Sequence, residues 1–380
     1  MNITTYSYTY IIIIVIYFAM SLLSSNVYLT KRQASYVVLV FVVVTGLLSA
    51  CRPEALPDTS NYVIAYNDSI GIFNVVEKGN VSGLLFNRSF HSMEIVFLLY
   101  MALFHKAMVP CRLFFGITSV LISLLFFQGM KLCLEHITGH AEREAIPSQY
   151  ISLWFVFFSF FGILYTTVAL RAGLAMGLGL CFIGLMLNGR KRGVAVVLLI
   201  CALLIHSTAI TYVLIYAILL CSPQWLKKKH CGLLAGLGTV CYTLNLSGVF
   251  SYIFVKVIVI LFSILGINAF GSYLESIEYL FRLKVLFVIV CVSALLVISY
   301  IPQKACSRLA VQVIIGIFIL ALLSGIPSIS READMFIVFL VPIIAFSLMA
   351  NKRLEYGIVV KGIVLLMFIP QYLMIFVNAS

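Results

Sequence analysis

Charge is what this 380-residue chain has least of: only 10% of its residues are Asp, Glu, Lys or Arg, and just 13 residues are acidic. With 63% hydrophobic residues and a mean hydropathy of +1.14, a soluble core is excluded, because no such core needs that much apolar surface. Alternating strands of the outer-membrane barrel kind are missing, which removes the porin architecture. The ten cysteines include no CxxC pair and no Cys/His metal spacing. Cys181, Cys201, Cys221 and Cys291 lie in or beside apolar runs and read as small buried hydrophobes. A GxSxG elbow, an HExxH zinc motif, a phosphate-binding P-loop and a Gly-rich dinucleotide fingerprint are absent too. The first apolar run, Tyr10 to Leu23, lacks a basic flank and a cleavage site, so it reads as a retained span.

What is present is a series of apolar runs separated by short basic loops. The class that follows is an all-α, polytopic integral membrane protein of roughly 11–13 transmembrane or re-entrant helices, forming one domain over residues 1–380. The net charge of +12 gathers in those loops, which suits cytoplasmic anchoring rather than nucleic acid. Lys31-Arg32, Lys106 with Arg112, Arg190-Lys191-Arg192, Lys227-Lys228-Lys229, Lys304 with Arg308, and Lys352-Arg353 are all predicted inside. Spans at about 7–24 and 36–50 then leave residues 51–93 as an extracytoplasmic loop. Spans at about 94–106 and 113–133 form a hairpin, and Glu135 to Gln149 lies outside. Parity between there and Arg190 predicts a re-entrant or in-plane helix over about 150–169, then a full span from Arg171.

Val194 to Cys221 is flanked by inside clusters, so it must cross twice or turn back. Two helices of about 14 residues rise only about 21 Å each, short of the roughly 30 Å hydrocarbon core. The hairpin tip, His206-Ser207-Thr208, is therefore expected in an outward cavity. Later segments follow the same logic: a span at 233–246, a second interfacial piece at 252–265, an outside stretch at 271–282, and spans at 285–301, 309–327 and 335–349. Ser328 to Asp334 lies outside, and the last span, from about 357, ends outside. No internal repeat is evident.

Arg171 stands out within this pattern. It sits in an apolar run of about forty residues, and an arginine at that depth costs a few kcal/mol unless a partner or a wet cavity receives it. Gly173, Ala175 and Gly177 remove bulk beside it. On the same face the topology places Arg52 with Asp58 and Tyr62, His206, and Arg331. Three arginines and a histidine suit a substrate with concentrated negative charge, since guanidinium forks match phosphate oxygens. A membrane catalyst acting on a pyrophosphate-linked lipid needs such a set. The arginines would hold the leaving group, and a histidine or carboxylate would take a proton from the attacking hydroxyl. Glu94, at the start of an apolar run, reads as a helix N-terminal carboxylate. His136, His140 and Glu142 read as a solvated loop rather than a metal site.

The spacing from Arg52 to Asp58, Tyr62 and Tyr66 resembles the R-x5-D-x3-Y-x3-[YF] outer-loop pattern of EpsG-type, Wzy-like polysaccharide polymerases. Glu94-Ile95-Val96-Phe97 is similar to the acidic start of that family's next span. Leu170 to Ala175 resembles its R-x-x-[LI]-A motif, and Ile205 to Ile210 its [FI]-H-x-[ST]-A-[IL] motif. Arg331 takes the place of a late arginine before the closing spans. The resemblance covers about residues 35–350, with Ala172 where the family commonly has Gln and Pro57 where it has a Gly.

This resemblance implies a glycosyltransferase that joins oligosaccharide repeat units carried on undecaprenyl pyrophosphate, building O-antigen, capsule or exopolysaccharide at the outer face of a bacterial inner membrane. It implies Arg171, His206 and Arg331 as catalytic residues, and Arg52, Asp58, Tyr62 and Glu94 as substrate-binding ones. No metal, cofactor or nucleotide sugar is expected. The implied partners are the lipid-linked glycan, the bilayer, a chain-length regulator and a flippase, with no nucleic acid. A lipid-linked-oligosaccharide transporter, and a glycosyltransferase using a polyprenyl-phosphate sugar, remain the competing readings.

Overall fold

The computed structural model describes residues 2–24, 29–71, 94–139, 149–222, 226–245, 283–324 and 329–377, with isolated positions at 147, 252, 253, 256, 257 and 260. Among these residues the chain is helical and contains no strand. Among the described residues, seven helices are long and apolar enough to cross a membrane, and five shorter apolar helices accompany them. The chain is thus an all-α, multi-pass membrane protein. It forms two compact units, one of residues 1–213 with 352–380, the other of residues 214–351. The interfacial piece expected at 252–265 and the outside stretch at 271–282 fall largely or wholly outside the described residues.

The first unit contains α1 (Ile3–Ser24), α2 (Lys31–Ala50), α3 (Thr59–Asp68), α4 (Ile95–Lys106) and α5 (Cys111–Thr138). It continues with α6 (Tyr150–Phe157), which runs on as π turns to Val168, then α7 (Leu170–Leu187) and α8 (Arg192–Ile205). A 3₁₀ turn at Ser207–Ile210 leads to α9 (Thr211–Cys221), which passes into the second unit after Val213.

Helices α2 and α5 run antiparallel and touch through small residues, as membrane helices do when dispersion must replace the hydrophobic effect. Ser49 donates to the Phe115 carbonyl at 3.3 Å, and a Cβ on Gly116 would lie 3.1 Å from that of Ala50. Helix α7 lies parallel to α5 and just as close: a Cβ on Gly129 would stand 2.9 Å from the Cys181 backbone N. At the far end Arg190 pairs with Glu135 at 2.9 Å. Asn188 donates to the Leu132 carbonyl at 2.9 Å.

These contacts correct three expectations about topology. Glu135 and Arg190 share one end of the bundle, whereas parity had put them on opposite sides. The segment 150–168 runs from one end of the unit to the other, where a re-entrant or in-plane helix was expected. It starts beside Lys131 and Ser21 and finishes where the Thr167 carbonyl meets Arg52 at the other end. Nearly every side chain along it is buried, which explains its uniform hydrophobicity and lack of a polar face.

Helix α4 does not cross. Its start meets Arg171 and His206, while at its other end His105 bonds the Tyr66 carbonyl at 2.9 Å. Tyr66 in turn donates to the Val109 carbonyl at 2.5 Å. Twelve residues rise only about 18 Å, and both ends of α4 stay at the Arg171 end. Lys106 and Arg112 therefore lie at that end too, away from Lys31 and Arg190. A span-hairpin had been read from two lone cations, too weak a signal to set orientation.

The chain returns to the first unit as α15 (Leu354–Leu366) and α16 (Phe368–Tyr372). Buried Lys361 donates to the Ser21 carbonyl on α1, a backbone partner that lets a cation stand among apolar helices. The second unit holds α10 (Lys228–Leu244), α11 (Leu283–Ser299), α12 (Lys304–Leu323), α13 (Ile329–Ile337) and α14 (Leu340–Ala350). Helices α10 and α12 run parallel, with Asn245 donating to the Ala321 and Leu322 carbonyls at 3.2 and 2.7 Å. Lys227–Lys229 and Lys304 sit together at the opposite end, where Tyr300 bonds Leu226 and Ser307.

Cysteines placed at Met108 and Gly189 in a cysteine-free background should react with an impermeant maleimide from opposite membrane faces. Labelling of both from one face would refute the placement of α4 and the direction of α5.

Candidate functional site

Six of the seven candidate residues lie in the first unit, and four converge. The break between α6 and α7 at Ala169 starts α7 at the end of the bundle, so Arg171 occupies its first turn. A second break follows α8, where His206 adopts extended backbone and turns the chain into the 3₁₀ segment. Glu94 stands at the start of α4 between them. Its Oε2 lies 2.5 Å from Arg171 Nη1, and its Oε1 lies 2.7 Å from His206 Nδ1. The Ser207 backbone N–H donates to the same Oε1 at 3.3 Å. Tyr62, buried on α3, accepts a hydrogen bond from the Arg171 backbone N–H at 3.3 Å.

The cluster is only partly exposed, with 20% of the Arg171, 25% of the Glu94 and 13% of the His206 side chain accessible. Burial opposes the Glu94 charge, but the His206 hydrogen bond and the Arg171 charge outweigh it and hold the carboxyl down to about 2. Glu94 is therefore an anion throughout the neutral range. An ionised carboxylate can only accept, so His206 Nδ1 is the donor of that contact.

Arg52 is placed differently. It is 3% exposed, donates to the Thr167 carbonyl at the end of the π turns, and has its guanidinium carbon 3.4 Å from the Phe115 ring centre and 5.4 Å from that of Tyr62. Its Nε and Nη2 find no hydrogen-bond partner among the described residues, and the faces of the two rings take that place. Burial draws the guanidinium down to about 10, still fully charged at neutral pH. In this structure Arg52 ties α2, α3, α5 and the π segment together, directly beneath the cluster.

Asp58 is half-buried at the head of α3 in the left-handed region, φ 62°, and its side chain caps none of the helix N–H groups. Asp tolerates that conformation better than most residues. Arg331 lies in the second unit, half-buried in the first turn of α13, at the end of α12 opposite Lys304. His136 lies in the last turn of α5, at the Arg190 end. His140 and Glu142 fall outside the described residues.

Two features lie beyond the sequence reading. Glu94 was expected as a helix-end acid and, by the resemblance, a substrate-binding residue, but its meeting with Arg171 and His206 was not. The backbone N–H of Ser207 carries no sequence signal, because any residue but proline supplies one.

The fold and this cluster define a multi-pass helical membrane protein with an arginine–carboxylate–histidine site at one end of its helices. A family model, that of the EpsG family, matches residues 35–380, taking in all seven candidate positions, and the chain belongs to that family. No curated protein and no solved structure matches it.

Lysine at position 52 keeps the charge but loses the planar contact with Phe115. Arg52→Lys should cost about 2 kcal/mol of stability, measured as a lowered unfolding temperature in detergent. An unchanged temperature would refute the role of Arg52 as a staple.

Proposed function

We propose that this chain is a polysaccharide polymerase, transferring a glycan from its lipid pyrophosphate to a hydroxyl of a second lipid-linked repeat unit. The observation that supports this most directly is the Arg171–Glu94–His206 cluster, which couples a phosphate-binding cation to a base. In the proposed reaction the acceptor oxygen bonds to the donor's anomeric carbon while the bond from that carbon to pyrophosphate breaks. The electron pair leaves on the phosphate oxygen, where Arg171 meets the growing charge. The hydroxyl proton passes to His206 Nε2, whose partner nitrogen keeps its own proton against an anionic oxygen. Such a donor carries its leaving group with it, so a nucleotide sugar has no part in the step. Asp58 with Tyr62 would line the sugar path above Arg52.

The proposed orientation rests on charge. Lys31-Arg32, Arg190-Lys191-Arg192 and Lys352-Arg353 occupy the end of the first unit away from the cluster, and basic loops mark the cytoplasmic side. The site would then face outward, the periplasm or exterior of a bacterial inner membrane, where a flippase delivers undecaprenyl-pyrophosphate-linked units and a chain-length regulator acts on the product.

A strain lacking the protein, complemented with wild type or Arg171→Ala, tests this by gel separation of its lipid-linked and surface glycans. Loss should leave single repeat units on lipid. Arg171→Ala should cut polymer about a hundredfold at normal protein level. Repeat units accumulating on the cytoplasmic face would instead make the protein a transporter.

A further inference from the structure

Three donors from two separate breaks in the helices converge on one carboxylate. Arg171 Nη1 reaches Glu94 at 2.5 Å, His206 Nδ1 at 2.7 Å and the Ser207 backbone N–H at 3.3 Å. A guanidinium, an imidazole N–H and a main-chain N–H aimed at one point are the donor set that suits a phosphate oxygen. The group filling that point comes from the chain itself. Glu94 heads α4 yet makes no side-chain cap to its own helix, so its carboxylate serves this site instead. A quarter of that side chain is accessible, which leaves a route for a ligand to reach the donors.

We infer that Glu94 is a resident stand-in for a substrate phosphate: its carboxylate occupies the Arg171, His206 and Ser207 donors while the site is empty, and a phosphate of the lipid-linked donor takes them by displacing it. This rests on the reading above that the site receives a pyrophosphate-linked donor, and adds what the site does without one. The stand-in keeps Arg171 compensated when no substrate is bound, since a half-buried cation without a partner would destabilise the fold. It also sets a threshold. A tethered carboxylate competes at an effective concentration on the order of millimolar or more, so free phosphate is held off. A pyrophosphate, with more charge and more oxygens than one carboxylate, can prevail, helped by its lipid anchor. The exchange preserves the His206 tautomer, because Nδ1–H faces an anionic oxygen before and after. Glu94 is thus a positioning and gating residue, acting through the donors it occupies.

The test is calorimetric titration of inorganic pyrophosphate into the purified full-length chain in lipid nanodiscs, as wild type, Glu94→Gln, Glu94→Asp and the double variant Glu94→Gln/Arg171→Ala. The neutral amide is a weaker competitor, so Glu94→Gln should bind pyrophosphate at least about tenfold more tightly than wild type. The double variant should lose that gain, and the shorter Glu94→Asp should fall in between. Glu94→Gln or Glu94→Asp protein that stays folded at the titration temperature and binds pyrophosphate no more tightly than wild type would overturn the stand-in. The glycan pattern of the complemented strains is a separate readout. Polymer that depends on Arg171 without a binding gain in Glu94→Gln sinks the stand-in alone. A binding gain in a protein whose loss leaves polymer unchanged sinks the polymerase reading and leaves the stand-in in place.

Discussion

A guanidinium in an apolar helix must find an anion, and the meeting of Arg171 with Glu94 is the constraint that shapes this end of the molecule. The pair needs α7 to begin at the bundle's end, which the break at Ala169 supplies, and it needs α4 to lie where its first residue can reach across. Because Oε1 of the same carboxylate also holds His206, the second helix break is drawn to the same point. One anion thus orders three chain segments far apart in sequence. An ion pair of this kind adds little net stability once desolvation is counted, but removing one member leaves a charge stranded.

Beneath the pair lies Arg52. Arg52 is received by ring faces and by a carbonyl at the end of the π turns. The last carbonyls of a helix lack an intrahelical partner, and Arg52 uses that of Thr167. The two arginines therefore have different physical roles despite similar sequence settings: one meets a partly exposed carboxylate, the other is locked among aromatic rings. Small residues on α2, α5 and α7 allow the close helix approach on which both depend.

How much of this was legible varies by residue. His206 was expected at a helix break because fourteen-residue arms are too short to span, and the break is there. Arg171 was expected at a helix end, and it is in the first turn of α7. The crossing at 150–168 was not legible, because a helix buried on all sides has no periodic face to reveal its role, and its direction had to be borrowed from flanking charges. Lys106 and Arg112 misled that borrowing: α4 is held at the site end by hydrogen bonds between His105, Tyr66 and Val109, which no charge count contains.

Sequence alone determined the membrane class and the helical character, and it marked Arg171 as a charge in need of a partner, since hydropathy and the cost of burying charge are properties of each segment by itself. It also carried the motifs by which the family is known. Only the tertiary structure decided which of those residues meet. Whether Glu94 caps its helix or bridges Arg171 to His206, and whether Arg52 faces a ligand or a phenyl ring, depends on contacts between helices more than forty residues apart. Those contacts follow from packing, and packing is a property of the assembled bundle that no single stretch of chain contains.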